Sequence, residues 1–455
     1  MTAAPAPQHS PPDNFQRWLV FALLLPALIG TLIALTYRGT PATQSGVTSE
    51  NPPASPHEAK VDFAPPAPKT DEIFWPAEVG NPQGAWTGRL ARIDAHLAIL
   101  TVRGSAEARG TAHGQLLREE VGRLVKSVRA HLKPDNSSAA ENTFQQLLDG
   151  ARRMKQYLDA DVIVELEACA KASGVNADEL LLAQLFGDVN RALKLTSFCT
   201  VFAAFGPATS DGGLLIGRNF DYSGKGLDGG VPLILQEIPT GPDAGRPFVT
   251  IGYAGILNGW TALNADGLFA SNNTLFYGKD SLDGIATCFL LRKIVERARN
   301  VEDGVALIEK GPRACTTGML VAGKNKAGSW DARFVEFDSE KTAIVEPQAG
   351  RVLSSNSCQK LSVGGYIASA EPNCSRWKSL KEILEGGGPL NWADTQRNPI
   401  AAKGVYLGIN LHCAYLNVPA QRFRLAVSPG DGTPAATHAF REFQIEADRV
   451  VEVQP

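Results

Sequence analysis

Cys199 is followed nineteen residues later by Arg218 and three residues after that by Asp221. The run reads Cys199-Thr-Val-Phe-Ala-Ala-Phe-Gly-Pro-Ala-Thr-Ser-Asp-Gly-Gly-Leu-Leu-Ile-Gly-Arg-Asn-Phe-Asp-Tyr222. A cysteine attacks a carbonyl as its thiolate, and a free thiol has a pKa of about 8.5. Were the peptide bond ahead of Cys199 cut, its α-amino group, with a pKa of about 7.7–8.0, would be a base carried by the nucleophile itself. Arg218 would favour the thiolate, and Asp221 would hold and polarise the amine. Those parts serve acyl transfer through a thioester. Strict strand alternation puts Arg218 and Asp221 on opposite faces, so a bulge or strand end is expected to bring them together. The plain alternative is a surface ion pair on a hairpin.

Other chemistry finds less support. The seven cysteines (Cys169, Cys199, Cys288, Cys315, Cys358, Cys374 and Cys413) form no CxxC pair, which argues against a zinc ribbon or a dithiol redox site. Small buried hydrophobes are the ordinary reading for most of them. There is no HExxH, no Walker A and no GxSxG elbow. Gly224, Gly226 and Gly229 fit GxGxxG, but Pro232 and a strand-like run follow where a dinucleotide fold needs a helix. His412 leaves a cysteine peptidase with a His base as a competitor. With 44 Lys and Arg against 47 Asp and Glu, the chain has no basic excess for nucleic acid.

Several elements must position these residues. The 455-residue chain begins with a tail, 1–17, and then a run of twenty uncharged residues, Trp18–Tyr37, flanked by Arg17 and Arg38. At about 1.5 Å per residue that run spans a hydrocarbon core of about 30 Å. It is expected to be a single membrane-spanning helix, residues 18–37, embedded in the lipid bilayer. The body would lie on the extracytoplasmic side, because the short tail is easier to leave in the cytoplasm. A cleavable signal peptide would have a shorter apolar core and an A-x-A-like site. Residues 38–78 carry Pro41, Pro52, Pro53, Pro56, Pro65, Pro66, Pro68 and Pro76, the composition of an extended spacer.

The body then reads as helical before about residue 198 and as strands with Gly turns afterwards. Residues 97–104 alternate as a strand, and a long helix is expected from Ser105 to about His131. Further helices are expected at about 139–158, 160–173 and 176–190. Strands follow from Phe198, with helices again at about 285–310 and 376–385. A helical half ahead of an antiparallel half is an α+β pattern.

The Cys199–Tyr222 block resembles the nucleophile segment of the N-terminal-nucleophile (Ntn) hydrolases of linear amides. These include the choloylglycine hydrolases, and the likeness is nearer to the self-cleaving acyl-coenzyme A:6-aminopenicillanic acid acyltransferases. Their prodomain helix motif is matched by Gly104-Ser105, Gly110, Gly114 and Leu116, and their "N-x-x-G-L" strand by Asn264-Ala-Asp-Gly267-Leu268 leading to Asn272-Asn273. The resemblance runs from about 97 to 428. It implies a four-layer αββα sandwich over 199–455, preceded by a helical propiece, 79–198. It also implies Asn273 as the oxyanion donor, with Asn272 one slip away. A second family Asn falls on Asn356, in Ser355-Asn356-Ser357, without the His that usually follows. Arg376, in Asn-Cys-Ser-Arg-Trp, matches an "S-R" that braces the site.

The catalytic set expected from these readings is Cys199, Arg218, Asp221, Asn273, Asn356 and Arg376. The function expected is hydrolysis of small N-acyl amides, with no metal or organic cofactor and with self-cleavage before Cys199. Bulky Phe198 departs from the small residue often found before such cuts. Transfer of the acyl group to an amine or from a thioester, and a catalytically silent membrane-tethered binding domain, are the competing readings. Acyl specificity, disulfide pairing and oligomeric state are not legible in the sequence.

Overall fold

Four layers stack in the order helices, sheet, sheet, helix. A computed structural model of the chain describes residues 77–80, 83–189, 197–242 and 244–453. The expected membrane segment, 18–37, lies outside the described residues, as does the spacer up to residue 76. Among the described residues no helix is long and apolar enough to cross a membrane.

The chain opens with β1 (Ala77–Gly80), β2 (Trp86–Asp94) and β3 (Leu97–Gly104). Five helices follow: α1 (Ala106–Leu116), α2 (Arg118–Leu132), α3 (Ser138–Lys155), α4 (Ala160–Ser173) and α5 (Ala177–Val189). Then come β4 (Ser197–Gly206), β5 (Gly212–Tyr222), β6 (Pro232–Pro239), β7 (Phe248–Tyr253), β8 (Thr261–Asn264) and β9 (Phe269–Thr274). The helices α6 (Thr287–Arg297) and α7 (Val301–Lys310) precede β10 (Thr317–Lys324), β11 (Trp330–Phe337), β12 (Thr342–Val345) and β13 (Arg351–Ser354). The last part holds α8 (Ser375–Gly386), β14 (Asn410–Asn417), β15 (Arg422–Val427), β16 (Arg441–Ile445) and β17 (Val450–Val453).

A ten-stranded sheet has the order β1-β2-β3-β6-β7-β8-β9-β10-β11-β12, and a seven-stranded sheet the order β13-β4-β5-β14-β15-β16-β17. Side chains such as Ile99, Val201, Ile216, Ile234, Phe334 and Phe423 fill the space between the sheets. The helices α1 to α7 cover the outer face of the larger sheet. Leu380 and Leu384 of α8 cover the smaller one through Phe202, Leu215 and Tyr415. β3 (LAILTVRG), expected to alternate, is instead buried on both faces from Leu97 to Val102, as β4 (SFCTVFAAFG) is from Cys199 to Ala204, which is why both are mostly apolar on either side. This is the αββα order that the resemblance implies.

Two expectations need amendment. The long helix from Ser105 is two helices, broken at Leu117, whose backbone leaves the helical region (φ −120°, ψ 32°) and whose side chain is fully buried. The segment ahead of Cys199 is not helical throughout either. Its β1, β2 and β3 form one end of the larger sheet, and β3 pairs in parallel with β6 from beyond Cys199. The GxGxxG match is a set of turns at positive φ leading into β6, as its Pro232 indicates.

A buried charge cluster ties the two stretches further. Arg109 of α1 meets Glu165 of α4 (2.7 Å) and Glu237 of β6 (3.0 Å). Arg292 of α6 meets the same two carboxylates (2.8 and 2.9 Å) and also Glu296 (3.0 Å).

Gly110 and Gly114 let α1 lie directly on α4. A Cβ at Gly114 would stand 2.4 Å from the Cys169 carbonyl oxygen, whereas one at Gly122 in α2 would meet nothing. Gly114→Ala should therefore destabilise the protein by about 1–3 kcal/mol through overpacking. Gly122→Ala should instead stabilise it by about 0.5–1 kcal/mol through helix propensity. Denaturant midpoints of the two variants decide this, and equal midpoints would contradict the packing account.

Candidate active site

Cys199 is the third residue of β4 and is 1% exposed. It stands in register with Phe220 of β5, which stands in register with His412 of β14. Phe220 is held between two rings, Trp260 (4.6 Å, 11°) and His412 (5.2 Å, 26°). Phe220 therefore separates His412 from the thiol. His412 Nε2 bonds Thr261 Oγ1 (3.1 Å), and burial and Arg218 push the imidazole well below its ordinary value. A Cys199–His412 dyad does not form.

Arg218 is opposite Val201, on the face that Cys199 shares, and is fully buried. It crosses to the other sheet, donating from Nη2 to the Asn272 carbonyl (2.7 Å) and from Nη1 to Asn273 Oδ1 (3.2 Å). Nη1 also donates to the Asn219 carbonyl (2.6 Å). Burial pushes the Cys199 thiol up, and the Arg218 guanidinium in hydrogen-bond reach pulls it back. Asp221 adds to the rise and Arg376 opposes it, with the net direction upward.

Asp221 is opposite Phe198, on the other face of β5, toward α8. The bulge expected to bring Arg218 and Asp221 together is absent from β5, whose pairing with β4 is regular from Ser197 to Ala204. The two side chains remain on opposite faces and reach Cys199 from either side. The register shift lies on β14, between Asn410 and His412, and brings Asn410 Nδ2 to Asp221 Oδ1 (2.7 Å). Burial raises the Asp221 carboxyl to about 6 in spite of Asn410, Arg376, the Leu407 backbone and Arg218, which all pull it down.

The backbone of Cys199 is held by side chains. Its N–H donates to Asn356 Oδ1 (2.9 Å), and its carbonyl accepts from Arg376 Nη1 (2.7 Å). Arg376 enters from the first turn of α8 and also donates to Thr200 Oγ1 (2.8 Å) and Asn356 Oδ1 (2.8 Å), with Asp221 Oδ2 at 3.5 Å. Asn356 Nδ2 donates to the Thr274 carbonyl (2.7 Å), and Asn273 Nδ2 donates to the Ser355 carbonyl (3.0 Å).

All six expected residues thus share one buried hydrogen-bonded assembly. Between the two adjacent asparagines, Asn273 bonds Arg218 through its side chain, while Asn272 bonds Arg218 only through its carbonyl and lines a cavity. Thr200 and Asn410 were missed by sequence reasoning. Asn410 is a buried polar residue just ahead of the apolar run LHCAYLNV, and that position was its only signal. All seven cysteines are free thiols.

The cavity measures about 90 Å³ and reaches Ser197, Phe220 and Tyr222 on the smaller sheet, Asn272 on the larger one, Trp260 just ahead of β8, and Asp188, Thr287 and Cys288 on α5 and α6. Ser197 Oγ bonds Thr274 Oγ1 (2.5 Å) at its rim.

Residues 208–385 match the family described as acyl-coenzyme A:6-aminopenicillanic acid acyl-transferase. The matched stretch begins after Cys199 and takes in Arg218, Asp221, Asn273, Asn356 and Arg376. The protein dcd1A of Dictyostelium discoideum is 26% identical over 291 residues, 57% of this chain and 64% of that protein. An uncharacterised protein of Archaeoglobus fulgidus is 23% identical, over 56% of this chain and 46% of its own length. The chain thus spans between about half and two thirds of these relatives. Among solved structures, an N-acylethanolamine-hydrolyzing acid amidase ortholog of Caenorhabditis elegans aligns with a TM-score of 0.37 at 13% identity, covering 48% of this chain and 93% of that one. A conjugated bile acid hydrolase of Clostridium perfringens aligns with a TM-score of 0.33 at 9% identity, covering 56% and 97%.

The buried Asp221 carboxyl makes stability depend on pH with a definite sign. In the unfolded chain it loses its proton near 3.8, and in the folded protein near 6. Between those values the folded state binds more protons, so stability falls as pH rises. Asp221→Asn removes that slope. Denaturation midpoints of both proteins between pH 4 and pH 7 should diverge across the window, with the wild type losing stability relative to the variant. Parallel curves would show that the carboxyl is not buried as described.

Proposed function

We propose, from the premise that the chain is an enzyme similar to the acyl-coenzyme A:6-aminopenicillanic acid acyl-transferases, that it is a membrane-anchored cysteine amidohydrolase of N-acyl amides. The observation that carries this reading is the two-sided grip on Cys199. Arg218 stands beside the thiol from one face of β5. Arg376 and Asn356 hold the peptide of the same residue from the other side, with Asp221 Oδ2 3.5 Å from Arg376 Nη1. The anchor rests on the uncharged run Trp18–Tyr37.

In maturation, the Cys199 thiol attacks the Phe198 carbonyl. The acyl group moves from nitrogen to sulfur, and water hydrolyses the resulting thioester, freeing the Phe198 carboxylate and the Cys199 α-amine. In turnover, that amine takes the thiol proton as sulfur attacks the substrate carbonyl. It returns the proton to the departing amine as the C–N bond breaks, leaving a thioester on Cys199. Water then releases the carboxylic acid.

Arg218 favours the thiolate, Asp221 holds the ammonium form of the amine, and Arg376 fixes the Cys199 carbonyl as a positioning residue. Asn273 Nδ2 is the oxyanion donor in this scheme and exchanges its bond to the Ser355 carbonyl for the substrate oxygen. The family's description supports a second reading, in which an amine takes the acyl group from the same thioester.

Full-length protein extracted from carbonate-washed membranes tests the proposal. Reducing gels and N-terminal sequencing should find a fragment beginning at Cys199, together with turnover of an N-acyl amide. Cys199→Ala should stay uncut and inactive while folding normally. An intact chain in active wild-type protein would overturn self-cleavage, and turnover by Cys199→Ala would overturn the nucleophile.

A further inference from the structure

Asn272 is 8% exposed, lines the cavity that Phe220, the cross-strand partner of Cys199, also lines, and among the described residues its Oδ1 has no hydrogen-bond partner. Its neighbour Asn273 has both ends of its amide engaged, with Arg218 and with the Ser355 carbonyl. The backbone of Asn272 is not free to move away. Its carbonyl takes the Arg218 Nη2 bond (2.7 Å), and the residue pairs in register with Met319 of β10. A buried amide oxygen without a partner costs about 1–3 kcal/mol, so one on a residue whose backbone is fixed beside a cavity calls for a partner from outside the chain.

The cavity's position fits that role. Phe220 is in register with Cys199, and Tyr222 with Ser197, and all but Cys199 line it. Phe220, stacked with Tyr222 and with Trp260, gives the cavity its apolar aromatic lining, and Asn272 lines it too. The Asp188 carboxylate accepts the Thr287 N–H (3.1 Å) and hydroxyl (2.7 Å) at the start of α6, which disfavours an anion there.

We infer that this cavity is a substrate subsite adjoining the thiol, and that it takes an uncharged apolar group carrying one hydroxyl or second amide, recognised by the side-chain amide of Asn272. Asn272 is then a specificity residue. Its amide can turn about its last bond to donate or accept. The inference rests on the amidohydrolase reading of Cys199 for the identity of the substrate.

The test uses full-length protein and matched pairs of N-acyl amides differing in a single hydroxyl. One arm places the hydroxyl on the acyl group and the other on the amine. In wild type, kcat/KM for the hydroxylated member should exceed that of its partner by about ten- to a hundredfold in one arm. Asn272→Leu, of similar volume, should bring that ratio near one, mainly by slowing the hydroxylated member. A wild-type ratio near one in both arms overturns the inference, as does an Asn272→Leu variant that slows both members equally.

Dissociation constants of the same pairs for Cys199→Ala, by calorimetry, carry the comparison without turnover. A binding ratio that Asn272→Leu abolishes, with no turnover of any pair by wild type, keeps the subsite and removes the amidohydrolase reading. Equal binding of both members with turnover intact removes the subsite alone.

Discussion

The site depends on β13 ending early. β13 pairs with β4 only as far as Ser354 opposite Val201, so the N–H and carbonyl of Cys199 have no strand to bond on that side. Asn356 and Arg376 supply the missing partners with side chains, and in doing so hold the Cys199 peptide in a polar, charge-bearing setting. A strand would have satisfied the same two groups with backbone alone. Buried backbone groups must be bonded somewhere, and here that demand draws an amide and a guanidinium to Cys199.

β5 then acts as a partition. Residues of one face, Arg218 and Phe220, look into the space between the sheets, where the thiol points. Those of the other, Asn219 and Asp221, look toward the α8 side. The thiol and its adjacent peptide are thus tuned by different groups across one strand. Burial works against ionising either Cys199 or Asp221, and the two arginines oppose it from opposite faces. The cluster of Arg109, Glu165, Glu237, Arg292 and Glu296 lies behind this arrangement. Burial raises Glu237, while Arg292 and Arg109 hold Glu165 low. Removing one partner of such a cluster leaves a buried charge uncompensated, which binds the stretch before Cys199 to the stretch after it whether or not the chain is cut.

Much of the site was legible because its residues sit in short, chemically distinctive strings. Cys199 with Arg218 and Asp221, Ser375-Arg376 at a helix start, and the Asn pair after Gly267-Leu268 all could be placed by number. Asn356 was placed without its usual His, and the structure seats it on the Cys199 N–H. What escaped depends on pairing between distant segments. Sequence alternation stated that Arg218 and Asp221 face apart, but not that facing apart is how they both reach Cys199. Asn410 enters through a register shift that only the partner strand reveals. The strands β1, β13, β16 and β17 are short and partly exposed, so they carry little periodic signal. The break at Leu117 goes with a fully buried side chain at that position, which local propensity does not report.

The central claim is that Cys199 carries the acyl group. Rapid quenching of the full-length enzyme with an N-acyl amide, followed by mass spectrometry of its peptides, addresses it directly. The account predicts the acyl mass on the peptide containing Cys199, lost on treatment with hydroxylamine as a thioester should be. Steady turnover with the acyl mass on another residue, or with none on Cys199 under conditions that slow deacylation, would contradict it.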